Sequence, residues 1–189
     1  MKSDLNIFEC SRVSGPNLSL RLITPDDAEY IHNLRTNPQY NRFLSQVVGD
    51  VKDQRQWIEA CKHREAAGLE FYYIIERMDG ARCGTVRLYE IEEDSFTWGS
   101  WILDSSKSKK AALESAVLSF GVAFELLSLQ LARVDVATQN EHAEKFYRRF
   151  GMTEIHRTDS QIFFEYASKQ FHLEKERFLS VIRKVGLGD

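Results

Sequence analysis

The sequence predicts an α/β (α+β) fold in which a mixed, largely antiparallel central sheet of about six to seven strands is flanked by helices. Three observations predict it. Segments rich in aromatic and β-branched residues crowd the middle of the chain, as FYYIIE (71–76), CGTVRLY (83–89) and FTWGSWIL (96–103). Helical periodicity precedes and follows that block. No repeat, low-complexity run or linker divides the 189 residues, a length that suits a single domain, 1–189, with its core over about 18–166.

The elements follow in order. LSLRLI (18–23) alternates apolar and polar residues until Thr24-Pro25-Asp26-Asp27, where Thr24 can cap and Pro25 fits a first helical position. A helix then carries Ala28, Ile31, His32 and Leu34 to about Arg35, and Asn37-Pro38 breaks it. A second helix is expected over 52–67, with Trp57, Ile58 and Cys61 on one face and Gly68 at its end. Turns at Asp79-Gly80 and at 92–95 join the three middle strands into an antiparallel meander. Residues 109–127 read as one long helix with Ala112, Ala116, Val117, Phe120 and Phe124 inward. LARVDVA (131–137) is a strand, 141–150 a helix, 153–155 and 161–166 strands, and 168–184 a C-terminal helix.

Composition narrows the function classes. Hydrophobic residues at 43% and charged residues at 28% describe a globular protein, and no apolar run approaches the roughly 20 residues of a membrane helix. Asp4 and Glu9 stand where a signal peptide would be apolar, so a cytoplasmic protein is expected. Cys10, Cys61 and Cys83 are scattered and lack metal or redox spacing, which predicts buried reduced thiols and no metal. A net charge of -3 disfavours nucleic acid as a partner but leaves a small anionic ligand open.

The chemistry concentrates in Asn140-x-x-Ala143-x-x-Phe146-Tyr147-x-x-x-Gly151-Met152, directly after an apolar strand. Asn140 ends that strand and begins a helix, so its amide suits either a backbone cap or the amides of a pantetheine arm. Phe146 supplies apolar surface, and Tyr147 adds a phenol at the tip of an aromatic body. A buried neutral phenol can protonate a departing thiolate, which makes Tyr147 the candidate general acid; the competing role is that of an ordinary core tyrosine.

This motif and the element order resemble the GNAT N-acetyltransferase superfamily, in particular its ribosomal-protein-alanine acetyltransferase-like branch. The likeness spans nearly the whole chain. It implies acetyl-CoA as co-substrate, a sheet whose strands splay at the acyl-CoA site, and contact of the thioester and pantetheine with the backbone of Trp101, Ile102 and Leu103, with Gly99 marking a bulge. Relatives place a glycine-rich loop at the start of the long helix, where amides meet the pyrophosphate. Here that stretch is glycine-free, and Lys107-x-x-Lys110-x-Ala112 is the match in register. Lys107, Ser108, Lys109, Lys110, Ala111 and Ala112 are therefore the candidate phosphate contacts, with Ser106 or Ser108 as cap. A solvated basic turn is the competing description.

The proton acceptor stays open among Ser100, as a water-holding hydroxyl, Glu90 and Glu93, while His142 is expected at the surface. Trp98, Trp101 and the tail YASKQF (166–171) are similar to sugar-nucleotide acetyltransferases that act on a 4-amino-4,6-dideoxy sugar in the pseudaminic acid pathway. Either the tryptophans meet a sugar's apolar face or they fill the two faces of a central strand. Arg35, Asn41, Arg42 and Gln46 are candidates for a nucleotide diphosphate or a carboxylate, and the dipole of its own helix is an equal partner for Arg35. The expected acceptor is a small-molecule amine, most naturally a sugar nucleotide, used by a monomer or homodimer without nucleic acid or membrane. The same chemistry on a protein N-terminal amine, and a non-catalytic acyl-CoA-binding module, are the rivals.

Overall fold

In the computed structural model, residues 7–184 are described; Asp4 and the two ends of the expected 1–189 domain lie outside them. Helix α1 (Ile7–Ser11) leads into β1 (Arg12–Ser14) and β2 (Leu18–Leu22). Strand β1 has no counterpart in the sequence reading. Its three residues are too few to show a period, and it is defined by pairing Val13 with Leu20 across the sheet edge.

Pro25 does open a turn, but a 3₁₀ one (Pro25–Asp27) that hands over to α2 (Ala28–Thr36). Asp27 explains the tight start: its carboxylate accepts from Thr24 N at 2.9 Å and from Arg21 Nη1 at 2.7 Å. Helix α3 (Val51–Ala66) begins with a reciprocal cap, Asp50 accepting from Lys52 N and Asp53 from Asp50 N. Strands β3 (Phe71–Arg77), β4 (Arg82–Tyr89) and β5 (Ser95–Leu103) form the expected meander.

The expected single helix over 109–127 divides. Lys110 takes a left-handed φ of 61°, so α4 starts at Ala111, runs to Gly121, and continues as a π-helical turn, Val122–Leu126. Val122, Ala123 and Phe124 of this turn are all buried, and Leu127 N closes it on the Val122 carbonyl at 3.0 Å. Strand β6 (Leu131–Ala137), α5 (Glu141–Phe150), β7 (Thr153–Arg157), β8 (Gln161–Ala167) and α6 (Ser168–Arg183) complete the chain.

The eight strands lie in the order β1-β2-β3-β4-β5-β6-β8-β7, mixed and largely antiparallel. The β5–β6 pair is parallel and positions everything that follows. One face of the sheet is covered by α4, α5 and α6, whose Phe120, Phe150 and Phe171 are fully buried with Trp98 and Tyr166. The other face carries α2 and α3, with Ile31 and Ile58 against Tyr72 and Ile74. Burying side chains of this size stabilises by about 1.5–3 kcal/mol each, so the aromatic stack behind β5 is the chief anchor of α4. Cys10, Cys61 and Cys83 are buried and unpaired. Among the described residues no helix is long and apolar enough to cross a membrane, and no group of three metal-ligating side chains is found.

Candidate active site

Strands β5 and β6 pair for only three residues, from Ser95↔Leu131 to Thr97↔Arg133, and then separate. The cause lies in β5. Between Gly99 and Ile102 it carries one residue more than β4 does, and Ser100 absorbs the excess with φ 45°. The expected bulge thus lies at Ser100, one residue beyond Gly99. Its carbonyl is held by Thr85 Oγ1 at 2.9 Å. Past Thr97 the β6-facing edge of β5 has no strand partner, and a peptide-like chain can add to such an edge.

The same extra residue changes the faces. Trp98 and Trp101 would lie on opposite sides of a regular strand; here their rings meet at 5.0 Å on one side. Trp98 is 1% exposed, stacks on Phe120 and donates to Ser119 Oγ at 2.9 Å. Its ring packs in the core, so what it offers the fork is the small part that lines the cavity. Trp101 donates to Ser115 Oγ at 3.1 Å and packs on Phe146 at 5.0 Å, bridging β5 to α5.

Helix α5 sets Tyr147 in the fork. Asn140 Oδ1 accepts from Ala143 N at 3.2 Å, so the capping role of Asn140 is realised. At the other end Gly151, with φ 97°, turns the chain, and Met152 N closes on the Tyr147 carbonyl at 3.0 Å. Tyr147 is ringed by Trp98, Trp101 and Phe164. Burial first, and the Asp135 carboxylate second, push its phenol well above the ordinary tyrosine value, so it is neutral and holds its proton.

A cavity of ≈ 310 Å³ occupies the fork. Of the residues expected from sequence it brings together Arg35, Trp98, Ser100, Trp101, Asn140 and Tyr147. Tyr40, Phe43, Leu44 and Ser45 come from the loop after α2, and Tyr89, Asp135 and Gln161 from three strands. None of these was singled out from sequence. The alternation along LARVDVA is the one signal that could have turned Asp135 away from the core, and it does not say toward what.

Several expected contacts lie elsewhere. Asn41 Nδ2 donates to the Thr36 carbonyl at 3.2 Å, and Arg42 sits over the Phe43 ring, exposed. Gln46 lines a neighbouring cavity of ≈ 450 Å³ with Trp57 and Arg87. Arg35 and Ser45 line both cavities, and Arg35 Nη2 donates to Ser45 Oγ at 2.7 Å. Arg35 Nε is buried with no hydrogen-bond partner. Glu90 accepts from Thr97 Oγ1 at 2.7 Å; neither it nor Glu93 lines the fork cavity, and His142 is exposed.

The glycine-free loop before α4 is organised by Asp104. That carboxylate accepts from Tyr30 OH at 2.8 Å and from Ser106 N at 2.7 Å, while Ser105 N donates to Tyr40 OH at 3.0 Å. Neither Ser106 nor Ser108 caps α4 by its side chain; Lys110 is the capping residue. Lys110 Nζ donates to the Val181 carbonyl at 3.0 Å, at the end of α6, so it is spent away from the loop. Lys107 Nζ lies 3.4 Å from the Asp104 carbonyl. Ser108 Oγ is buried without a partner, and the Ser108 carbonyl accepts from Ala111 N at 3.2 Å, so the open amides of the helix start begin at Ala112. The unpaired edge of β5 at Trp101, Ile102 and Leu103 and this helix start together fit a pantetheine arm and an anionic end.

The GNAT acetyltransferase domain family model matches residues 17–153. A solved structure described as apo FdhC, a nucleotide-linked sugar GNAT, is 36% identical with a TM-score of 0.82, over 88% of this chain and 96% of that one. Spermidine N-acetyltransferase from Vibrio cholerae, solved with CoA and spermine, is 19% identical at a TM-score of 0.70, over 82% of this chain and 98% of that one. The ribosomal-protein-S5-alanine acetyltransferase from Vibrio fischeri is 15% identical at 0.71, over 85% and 98%. The last two show a shared fold. No curated protein sequence matches the chain.

Proposed function

The chain belongs to the GNAT acetyltransferase family, transferring acetyl from acetyl-CoA to an amine, and from that premise we propose that the amine is carried by a nucleotide-linked deoxy-aminosugar, at its 4-amino group. The observation that carries this reading is Arg35. It is a guanidinium with a buried, unpartnered Nε at the junction of two cavities, and a diphosphate is the anion such a fork recognises. The sugar then lies among Tyr40, Phe43 and Tyr89, and the nucleotide extends toward Trp57. Similarity to the sugar-nucleotide enzyme supports the same choice. A polyamine would call for several carboxylates, and Asp135 is the one among the described lining residues of the fork.

In this reading the β5 edge at Trp101, Ile102 and Leu103, with Asn140 and Phe146 of α5, holds the pantetheine arm. Lys107, Ser108, Lys109 and the helix start at Ala111 and Ala112, through the Ala112 amide, receive its anionic end. The acceptor amine attacks the thioester carbonyl in the fork, a C–N bond forms, and the C–S bond breaks as the Tyr147 phenol protonates the sulfur. The enzyme works as one domain in the cytoplasm.

The test is a panel of aminosugar nucleotides, spermidine and peptides with an N-terminal alanine, followed by release of free thiol. We expect turnover with an aminosugar nucleotide. Arg35→Ala should raise the KM for that acceptor roughly tenfold or more, leaving the KM for acetyl-CoA unchanged. Tyr147→Phe should lower kcat by about 10²-fold with cofactor binding retained. Faster thiol release with the polyamine or peptide overturns the sugar assignment, and CoA binding without turnover on any amine points to a non-catalytic module.

A further inference from the structure

Tyr147 accounts for the proton that the leaving sulfur gains, but an amine at neutral pH arrives as an ammonium and must first lose one. Resting on the acetyl-transfer reading above, we propose that Asp135 is the group that takes that proton.

The geometry of the fork singles it out. Strand β6 loses its β5 partner after Arg133, and its next residues alternate, with Val134 and Val136 in the core and Asp135 outward. Asp135 is therefore the first outward-facing side chain past the split. It lines the same cavity as Ser100, Tyr89 and Tyr147. Tyr147 belongs to the core cluster under α4 and α5, whereas Asp135 stands on the opposite face of β6, the side reached by the loop of Tyr40 and Phe43. The two groups thus flank the opening from its two faces, an arrangement suited to a thioester entering from one side and an amine from the other.

The electrostatic setting agrees. The charged neighbour that acts on Asp135 is the Glu90 carboxylate, just beyond β4, and Asp135 in turn raises the Tyr89 phenol at the end of β4 and the Tyr147 phenol of α5. On the β8 side its register partner is Phe163, which carries no charge. Among the described residues no ion pair engages it; Arg133, two residues earlier, is committed to Glu92 at 3.1 Å, and Arg35 to Ser45. Partial burial, opposed by a hydrogen bond from its own backbone and aided by repulsion from Glu90, raises the Asp135 carboxyl above the ordinary aspartate value, although the side chain still reaches the cavity opening. A carboxylate with no cation to satisfy it, and with its affinity for a proton increased, is a better base than a paired one.

The step balances as follows. The Asp135 carboxylate accepts one proton from the ammonium, directly or across one water, giving a neutral amine and a carboxylic acid. The amine lone pair forms the C–N bond to the thioester carbon. On collapse the C–S bond breaks, the sulfur takes the Tyr147 proton, and one of the two protons left on nitrogen returns to the Tyr147 oxygen while the other stays as the amide N–H. Asp135 then releases its proton to solvent, the single net proton of the reaction.

The experiment is the pH profile of kcat/KM for Asp135→Asn, Asp135→Glu and Glu90→Gln, using the acceptor that gives turnover in the wild type. Wild type should lose activity on the acidic side as Asp135 protonates. Asp135→Asn should fall about 10²-fold near neutrality, lose that acidic limb, and recover toward high pH where the acceptor amine is already neutral. Asp135→Glu should keep the limb. Glu90→Gln should move it to lower pH, because removing the neighbouring negative charge lowers the Asp135 value. A loss under tenfold in Asp135→Asn, or an acidic limb that persists in it, overturns the assignment. Wild-type protein that releases no thiol with any amine defeats the acetyl-transfer reading instead, so the two failures are distinct.

Discussion

Glu70, at the start of β3, and Asp135, on β6, are carboxylates that burial acts on in the same direction and that end in opposite states. Glu70 is 2% exposed and receives hydrogen bonds from Arg87 Nε, Arg64 Nε at 2.6 Å and Cys61 Sγ at 3.1 Å. Burial pushes its carboxyl up, and the donors, Arg87 foremost, outweigh that and hold it below the usual glutamate range. Among the described residues Asp135 has no cationic donor to offset its burial, only a hydrogen bond from its own backbone, and it faces Glu90, so its carboxyl is raised. Burial alone does not decide whether a carboxylate is a structural anion or a poised base. The charges that surround it do.

Replacing Glu70 should have the largest effect. Glu70→Ala leaves Arg87 and Arg64 without their shared partner, and roughly 3 kcal/mol of unfolding free energy should be lost, or about 6–12 °C in thermal midpoint. The wild-type contribution is fully present above the unfolded glutamate value and is lost as pH falls through the depressed folded one, so the deficit should shrink in acid. Denaturant unfolding at two pH values checks this, and a loss below 1 kcal/mol would erase the contrast.

Asp135→Asn should have the opposite and smaller effect. A raised carboxyl stabilises the fold fully below its unfolded value and loses that contribution as pH rises through the folded value. The variant should therefore be as stable as wild type, or slightly more so, within about 0.5 kcal/mol at pH 8. Marked destabilisation would make Asp135 a structural residue.

The smallest effects belong to the lysines, which repeat the contrast between committed and uncommitted charge. Lys110 is bonded to the end of α6, so Lys110→Ala should leave CoA affinity unchanged, whereas Lys107→Ala should weaken it about two- to fivefold and less so at high salt. Equal effects of the two substitutions, measured by calorimetry, would show that the loop does not distinguish them.

How much was legible follows from where each interaction is encoded. The cap of Asn140, the turn at Gly151 and the aromatic face of α5 are contacts within about one or two helical turns, so periodicity and spacing revealed Tyr147's place. The meander and α3 were readable for the same reason. Strand β1 and the start of α4 at Ala111 were not, because an edge pairing and a left-handed Lys110 decide them, and the π-helical turn after Gly121 leaves no mark in the apolar periodicity of that helix. The alternative in which Trp98 and Trp101 fill the two faces of their strand rests on a regular alternation, which the extra residue at Ser100 reverses.

By itself the sequence determined the order of elements, the α5 motif and the family chemistry, since these rest on local propensity and spacing. Only the tertiary structure decided that β5 and β6 part after Thr97 and Arg133, and hence that Arg35, Asp135 and Tyr147, from three distant segments, line one cavity. The physical reason is that a carboxylate's proton affinity and a cavity's walls depend on groups brought near through space, which sequence separation does not record.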